Sequence, residues 1–307
     1  MTSPQTGTQE LILTHVNARI SGAIGELQLA CAETRNAINQ EMGEEILQTC
    51  RWLDSNRHLK AVILHGAGEV FCSGLDLTLL RQGISAQLRV TVDLTSQIIE
   101  RVAGMKPIVV GSIHGACVGS VGLMLAAACD LRYAAANTRF LLPDARFGIP
   151  IMPTGLHFVA RDLGPADTLA PTLLTEPLST QDLYDAAFLN QVCAPGQTLA
   201  TARAIAAEIA GKPAFLLQKM KQQLAATKSE VIRATERRHQ QFLGVVARRV
   251  AAEAGVRRTR HAELLARAAY LVVVAVTPVV RRALARVAGP AHPRGVVMMG
   301  FGFRHPG

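Results

Sequence analysis

The stretch 107–149 limits the fold most tightly. An apolar run, Pro107–Ile113, leads into the turn Gly119-Ser120-Val121-Gly122, then a helix of small residues over Val121–Cys129 and a second strand, Leu131–Ala134. Short, uninterrupted apolar runs flanked by turn residues read as strands buried on both faces. Two of them joined through a helix make a parallel crossover, which places the chain in the α/β class. Phe140-Leu141-Leu142-Pro143 follows and delivers a carboxylate, Asp144.

The rest of the chain supports that class. Leu11–Ile20 and Ile24–Cys31 read as β-rich runs across Ser21-Gly22-Ala23, a plausible hairpin. Asn39–Leu53 has helical spacing, with Met42, Ile46, Leu47, Cys50 and Leu53 on one side. Ala61–Leu64 is a short buried strand, and Leu79–Val102 is mostly helical with a break near Gly83. Thr198–Ala210 and Ala214–Thr227 read as amphipathic helices, with Pro213 placed where it can open the second without losing a needed N–H. Aromatics make up only 4% of residues, so Ala, Leu, Val and Ile must build the core.

Charge divides the chain sharply. Eleven arginines against two glutamates after residue 244 account for the whole net charge of +9, and residues 1–244 are neutral. The basic balance therefore gives no reason to expect nucleic acid on the main body. A 13-residue apolar run at Ala268–Val280 is shorter than the roughly 20 residues of a membrane span. Three readings of the tail stay open: a solvated basic extension, a membrane-surface helix, or a shift of reading frame near 244. The six cysteines form no C-x-x-C pair and sit mostly in apolar runs, which favours buried free thiols over disulfides or a zinc site. The N-terminal residues carry no secretory or transit pattern, and cytoplasm is the expected location.

Two familiar site types are a poor fit. After Gly66-Ala67-Gly68, a dinucleotide fingerprint would want glycine at 71, where Phe71 stands. A nucleophile elbow, G-x-S-x-G, is absent from the chain. Cys72 and Ser73 have no base partnered with them in sequence, and small residues there are more often what lets a backbone approach a ligand. The segment HGAGEVFCSGLDL at 65–77 instead combines with 107–149, with Thr34-Arg35-Asn36-Ala37-Ile38-Asn39 and with the Gly/Pro loop 148–155. In that order these four matches resemble the enoyl-CoA hydratase/isomerase (crotonase) superfamily across roughly residues 11–230.

The resemblance implies a spiral of ββα units over 1–195 and a helical region over 196–244 used in packing homotrimers or hexamers, while charge sets apart a basic tail over 245–307. It implies an acyl-CoA or carrier-bound acyl thioester as substrate. Coenzyme A enters as part of that substrate, with no metal and no separate cofactor. Leu75 and Ser120 would offer backbone N–H groups to the thioester oxygen, and Asp144 would be the acid/base. One extra residue between His114-Gly115 and Cys129-Asp130 leaves Val121 as the alternative second donor. Gly74 would permit the tight turn before Leu75, and Asp76 would cap a helix starting at Leu77. Arg35 is the candidate phosphate contact, and Ala37, Ser73, Gly74, Gly119 and Val121 complete the substrate-binding set. The hydratases of this superfamily use two glutamates. The first position falls here on Leu123 or Met124, neither able to move a proton, and the second on Asp144, one methylene shorter. A 1,3-shift of a double bond needs only one proton-carrying group, so the acid set favours isomerase-like chemistry over water addition. A non-catalytic family member that binds a thioester or a partner protein is the alternative. Arg139 and Arg146, neighbours of Asp144 in sequence, and His157 complete the charged groups weighed near the site.

Overall fold

A computed structural model describes residues 7–76, 78, 86–144 and 159–223. Arg146, His157, the 148–155 loop and the basic tail lie outside the described residues. The strands are β1 Gln9–Ile12, β2 Val16–Ser21, β3 Ile24–Leu29, β4 Ala61–Gly66, β5 Ile108–Ile113, β6 Ala116–Val118, β7 Leu131–Ala135, β8 Arg139–Leu141 and β9 Gln191–Cys193. The helices are α1 Gln40–Ser55, α2 Ala86–Ala103, α3 Gly119–Ala128, α4 Pro165–Leu174, α5 Thr180–Asp185 and α6 Thr198–Ala210.

Seven strands form one sheet in the order β1-β2-β3-β4-β5-β7-β9, antiparallel through β3 and parallel from β3 onward. Alternation along β4 shows why Ala61–Leu64 is apolar throughout. Val62 and Leu64 enter the larger core beneath α1, α2 and α3, while Ala61 and Ile63 enter a second core beneath α6. Ala202 and Ala206 let α6 lie close on the sheet, and Arg203 holds both carboxylate oxygens of Glu26 at 2.8 and 2.9 Å. On the opposite face the Asn39 side chain accepts the Met42 N–H and caps α1. Gly43 lets α1 meet α2, since a Cβ there would lie 2.5 Å from a Leu94 methyl.

The structure corrects several boundaries. Residues 11–20 are not one run: β1 and β2 pair with each other, the turn closing through Leu13 N–H to Val16 O at 3.0 Å. Polar residues at the turn contribute too, as the His15 N–H donates to Glu45 Oε2 at 2.7 Å. Helix α3 starts at Gly119, two residues before Val121, because Gly119 itself takes the turn at φ +73 and the small residues after it continue the helix. A second, two-stranded parallel sheet, β6 beside β8, was not foreseen, since three-residue strands carry too little periodicity to be seen.

Helix α3 is apolar all round and buried, and Arg132 serves as the cation at its C-terminal end. The guanidinium donates to the carbonyls of Ala127 and Cys129 and to Phe188 O, stacks 4.6 Å over the Phe188 ring, and pairs with Asp162 at 2.8 Å. Residues 214–223 form a further helix held to the body by Lys221, whose ammonium reaches Pro107 O at 2.8 Å and Asp130 at 2.6 Å. No helix among the described residues is long and apolar enough to cross a membrane.

Candidate functional site

The site is built where short segments run parallel and end along one edge. Cys117 of β6 pairs with Cys72 on one side and with Phe140 of β8 on the other, both in parallel register. Leu75 pairs in parallel with Ile38. Residues 38, 75, 118 and 141 therefore lead out at a common edge, and the first turn of α3 and Asp144 follow directly from two of them.

A clamp holds this arrangement together. Asn36 is fully buried at φ +54, a conformation that asparagine adopts more readily than most residues. Its Oδ1 accepts the Cys31 N–H at 3.0 Å, and its Nδ2 donates to Ala67 O at 3.0 Å, Val70 O at 2.9 Å and Phe71 O at 3.3 Å. Sequence reasoning passed over this residue in favour of its neighbour Arg35. The only available signal was its place in the 34–39 motif, because three of its four partners lie more than thirty residues away. An Asn36→Ala variant leaves buried groups unpaired. It is expected to cost about 3 kcal/mol, or roughly 10 °C in melting temperature, read by thermal unfolding. The His114–Gly115 turn adds a second fastening: His114 Nε2 meets Gly68 O at 3.0 Å, and a Cβ on Gly115 would lie 1.7 Å from Glu69 O.

The orientation of the Leu75 amide follows from its neighbours. Cys72 uses its backbone toward β6, with Val118 N–H donating to Cys72 O at 2.9 Å. Gly74, at φ +93, turns the chain over, so that its carbonyl faces the other way and accepts the Ile38 N–H at 2.8 Å. In a trans peptide the N–H opposes the C=O. The Leu75 N–H is thus turned away from Ile38, toward the side occupied by β6 and the start of α3. Among the described residues it has no backbone acceptor. Gly119 stands against Gly74: a Cβ on Gly74 would lie 2.7 Å from Val118 O and 3.5 Å from the Gly119 Cα.

Helix α3 contributes a matching set of donors. Its N-cap is Val118, and no side chain caps the first turn. The N–H groups of Gly119, Ser120 and Val121 precede the first residue that can bond within the helix, and the positive end of the helix dipole lies with them. Ser120 and Val121 are both in this turn, and Val121 is itself buried.

The remaining predicted residues fall around this edge. Asp144 is buried just beyond β8. Asp76 Oδ1 accepts the Thr78 N–H at 2.8 Å, as a cap of the chain that follows would. Ser73 is half-buried and tied to the 34–35 segment through its N–H to Arg35 O at 3.1 Å and its hydroxyl to Thr34 O at 3.3 Å. Arg35 is exposed at φ +56, Ala37 is half-buried beside it, and Arg139 is exposed on β8. Leu123 and Met124 are both enclosed in the main core.

Competing chemistries are poorly served here. All six cysteines are buried and free. Burial pushes the Cys72 thiol up to about 12, and burial followed by the neighbouring thiols Cys72 and Cys129 raises Cys117 well above its ordinary value. Neither is a thiolate nucleophile at neutral pH. His65 lies under α6 on the far face of the sheet, and burial lowers its pKa against the pull of Glu26. Among the described residues no group of three or more His, Cys, Asp and Glu is placed to hold a metal ion.

Comparison with known proteins identifies the family. Residues 19–262 match the enoyl-CoA hydratase/isomerase family. The "Probable enoyl-CoA hydratase" of Mycobacterium tuberculosis is 31% identical over 205 residues, covering 66% of this chain and 79% of that protein. The 1,2-epoxyphenylacetyl-CoA isomerase of Escherichia coli is 26% identical, covering 73% and 85%. The crystal structure of an enoyl-CoA hydratase from Bacillus halodurans superposes with a TM-score of 0.69 at 16% identity, covering 88% of this chain and 99% of that one, which speaks for the fold. Family match, fold and relatives agree, and the chain belongs to the enoyl-CoA hydratase/isomerase family.

Proposed function

We propose that the protein is an acyl-thioester isomerase that works through an enolate, with Asp144 carrying the proton between two carbons. The Leu75 and Ser120 amides would hold the thioester oxygen as negative charge develops, with Val121 the alternative to Ser120. Each donor in such a hole is worth about 10²–10³ in rate. The observation that supports the paired donors is the close approach of Gly74 to Gly119, each glycine preceding one of the proposed donor residues. Coenzyme A or a carrier protein would deliver the acyl group, Arg35 would meet a phosphate, and Ala37, Ser73, Gly74, Gly119 and Val121 would line the bound thioester. No separate cofactor enters the scheme.

The choice of isomerisation over hydration rests on Leu123 and Met124. Both are apolar and enclosed, so α3 supplies no second carboxylate. The same pair favours the other reading, a family member that binds thioesters without converting them. Incubation with separate 2-enoyl and 3-enoyl thioesters, followed by mass spectrometry and chromatographic separation, decides between them. Interconversion without a gain in mass is expected. Addition of water would overturn the isomerase reading, and binding without any product would favour the non-catalytic one. A homotrimer or hexamer and a cytoplasmic location complete the proposal. The exposed Phe215, Leu216 and Met220 on the 214–223 helix support assembly.

A further inference from the structure

The thiol of Cys72 has no part in the proposed proton transfer, yet it sits at the junction of two segments of the site. Its S–H donates to Asn36 O at 3.3 Å, and its sulfur accepts the Gly74 N–H at 3.4 Å. It is wholly enclosed. Gly122 of α3 closes over the same residue, since a Cβ there would lie 3.1 Å from Cys72 O. The two peptides that flank Gly74 are thus each held, one through its N–H and the other through its C=O. Ile38 N–H holds the Gly74 carbonyl at 2.8 Å, and the Cys72 sulfur holds the Gly74 amide.

We propose that Cys72 is a positioning residue. It sets the direction of the Leu75 N–H by strapping the Gly74 amide to Asn36, the residue that also clamps the 66–71 loop. The proposal rests on the thioester reading above, because it concerns the donor that reading assigns. A neutral thiol suits the task because it donates and accepts at once and stays uncharged in an apolar enclosure. Alanine removes both bonds and leaves the buried Gly74 amide unpaired. Serine keeps a donor and an acceptor at the same place. A donor displaced by about 1 Å loses roughly 10² of its effect on rate, so a small loosening has a large readout.

The test uses the full chain as wild type, Cys72→Ala and Cys72→Ser, with thermal unfolding to establish that each is folded. In ligand-free protein, amide hydrogen exchange at Gly74 is expected to speed up in Cys72→Ala and to return toward wild type in Cys72→Ser. With carbonyl-labelled butyryl-CoA bound, infrared difference spectra are expected to show a red-shifted thioester C=O in wild type. The shift should be smaller in Cys72→Ala and regained in Cys72→Ser. An unchanged C=O shift in a folded Cys72→Ala variant overturns the positioning role. Wild type that binds butyryl-CoA with no carbonyl shift overturns the thioester reading itself, whatever the Gly74 exchange shows. Serine supplies the fallback should the alanine variant fail to fold: full exchange protection with a lost carbonyl shift also counts against the role.

Discussion

An Asp144→Asn variant is expected to lose about 10²–10⁴ in turnover while still binding a saturated acyl-CoA as wild type does. Asparagine keeps the size and the hydrogen-bonding shape of the side chain, and removes its ability to take up and return a proton. The site is expected to stay intact because the proposed scheme assigns binding to the backbone amides of Leu75 and the α3 terminus and to the 34–37 segment. Steady-state assays on an interconvertible pair of enoyl thioesters, set beside calorimetric titration with butyryl-CoA, separate the two effects. Loss of binding in parallel with turnover would mean that Asp144 holds the structure of the edge, and unchanged turnover would remove it from the mechanism.

Gly74→Val should be nearly as damaging for a different reason. The position needs φ +93, and its Cβ would meet the Val118 carbonyl at 2.7 Å, a backbone atom that cannot turn aside. Relief requires parting the 72–75 segment from β6, which redirects the Leu75 N–H. Turnover is expected to fall by about 10²–10³, as for removal of one oxyanion donor, with the infrared shift of a bound thioester carbonyl diminished. Gly22→Ala is the control. That glycine also has positive φ, but open space surrounds it, so the same kind of strain arises far from the site. It should cost about 1 kcal/mol of stability and leave turnover as it was.

The fold was legible because burial on both faces leaves a plain mark in sequence. The runs Ala61–Leu64 and Pro107–Ile113, which became β4 and β5, are apolar without alternation, and the small residues of α3 announce a helix with no exposed face. The small sheet of β6 and β8 left no such mark, although it is what brings 72–75, 117–119 and 140–144 side by side. The candidate residues were found through motif resemblance, and the geometry that orients them was not. Asn36 and Cys72 act on backbone groups brought close only by folding. Arg132 reads in sequence as a charge inside a strand, and in the structure it satisfies the last carbonyls of the helix before it. Side chains that serve the backbone have no periodicity by which to be recognised.

Lys221 fixes the 214–223 helix beside Asp130, just past the C-terminal end of α3. That helix has ten residues and so measures about 15 Å. The Lys221 anchor therefore sits a full helix length from the N-terminal turn of α3 proposed to polarise the carbonyl. Surface attachment through the 214–223 helix is therefore expected to leave the proposed thioester site uncrowded.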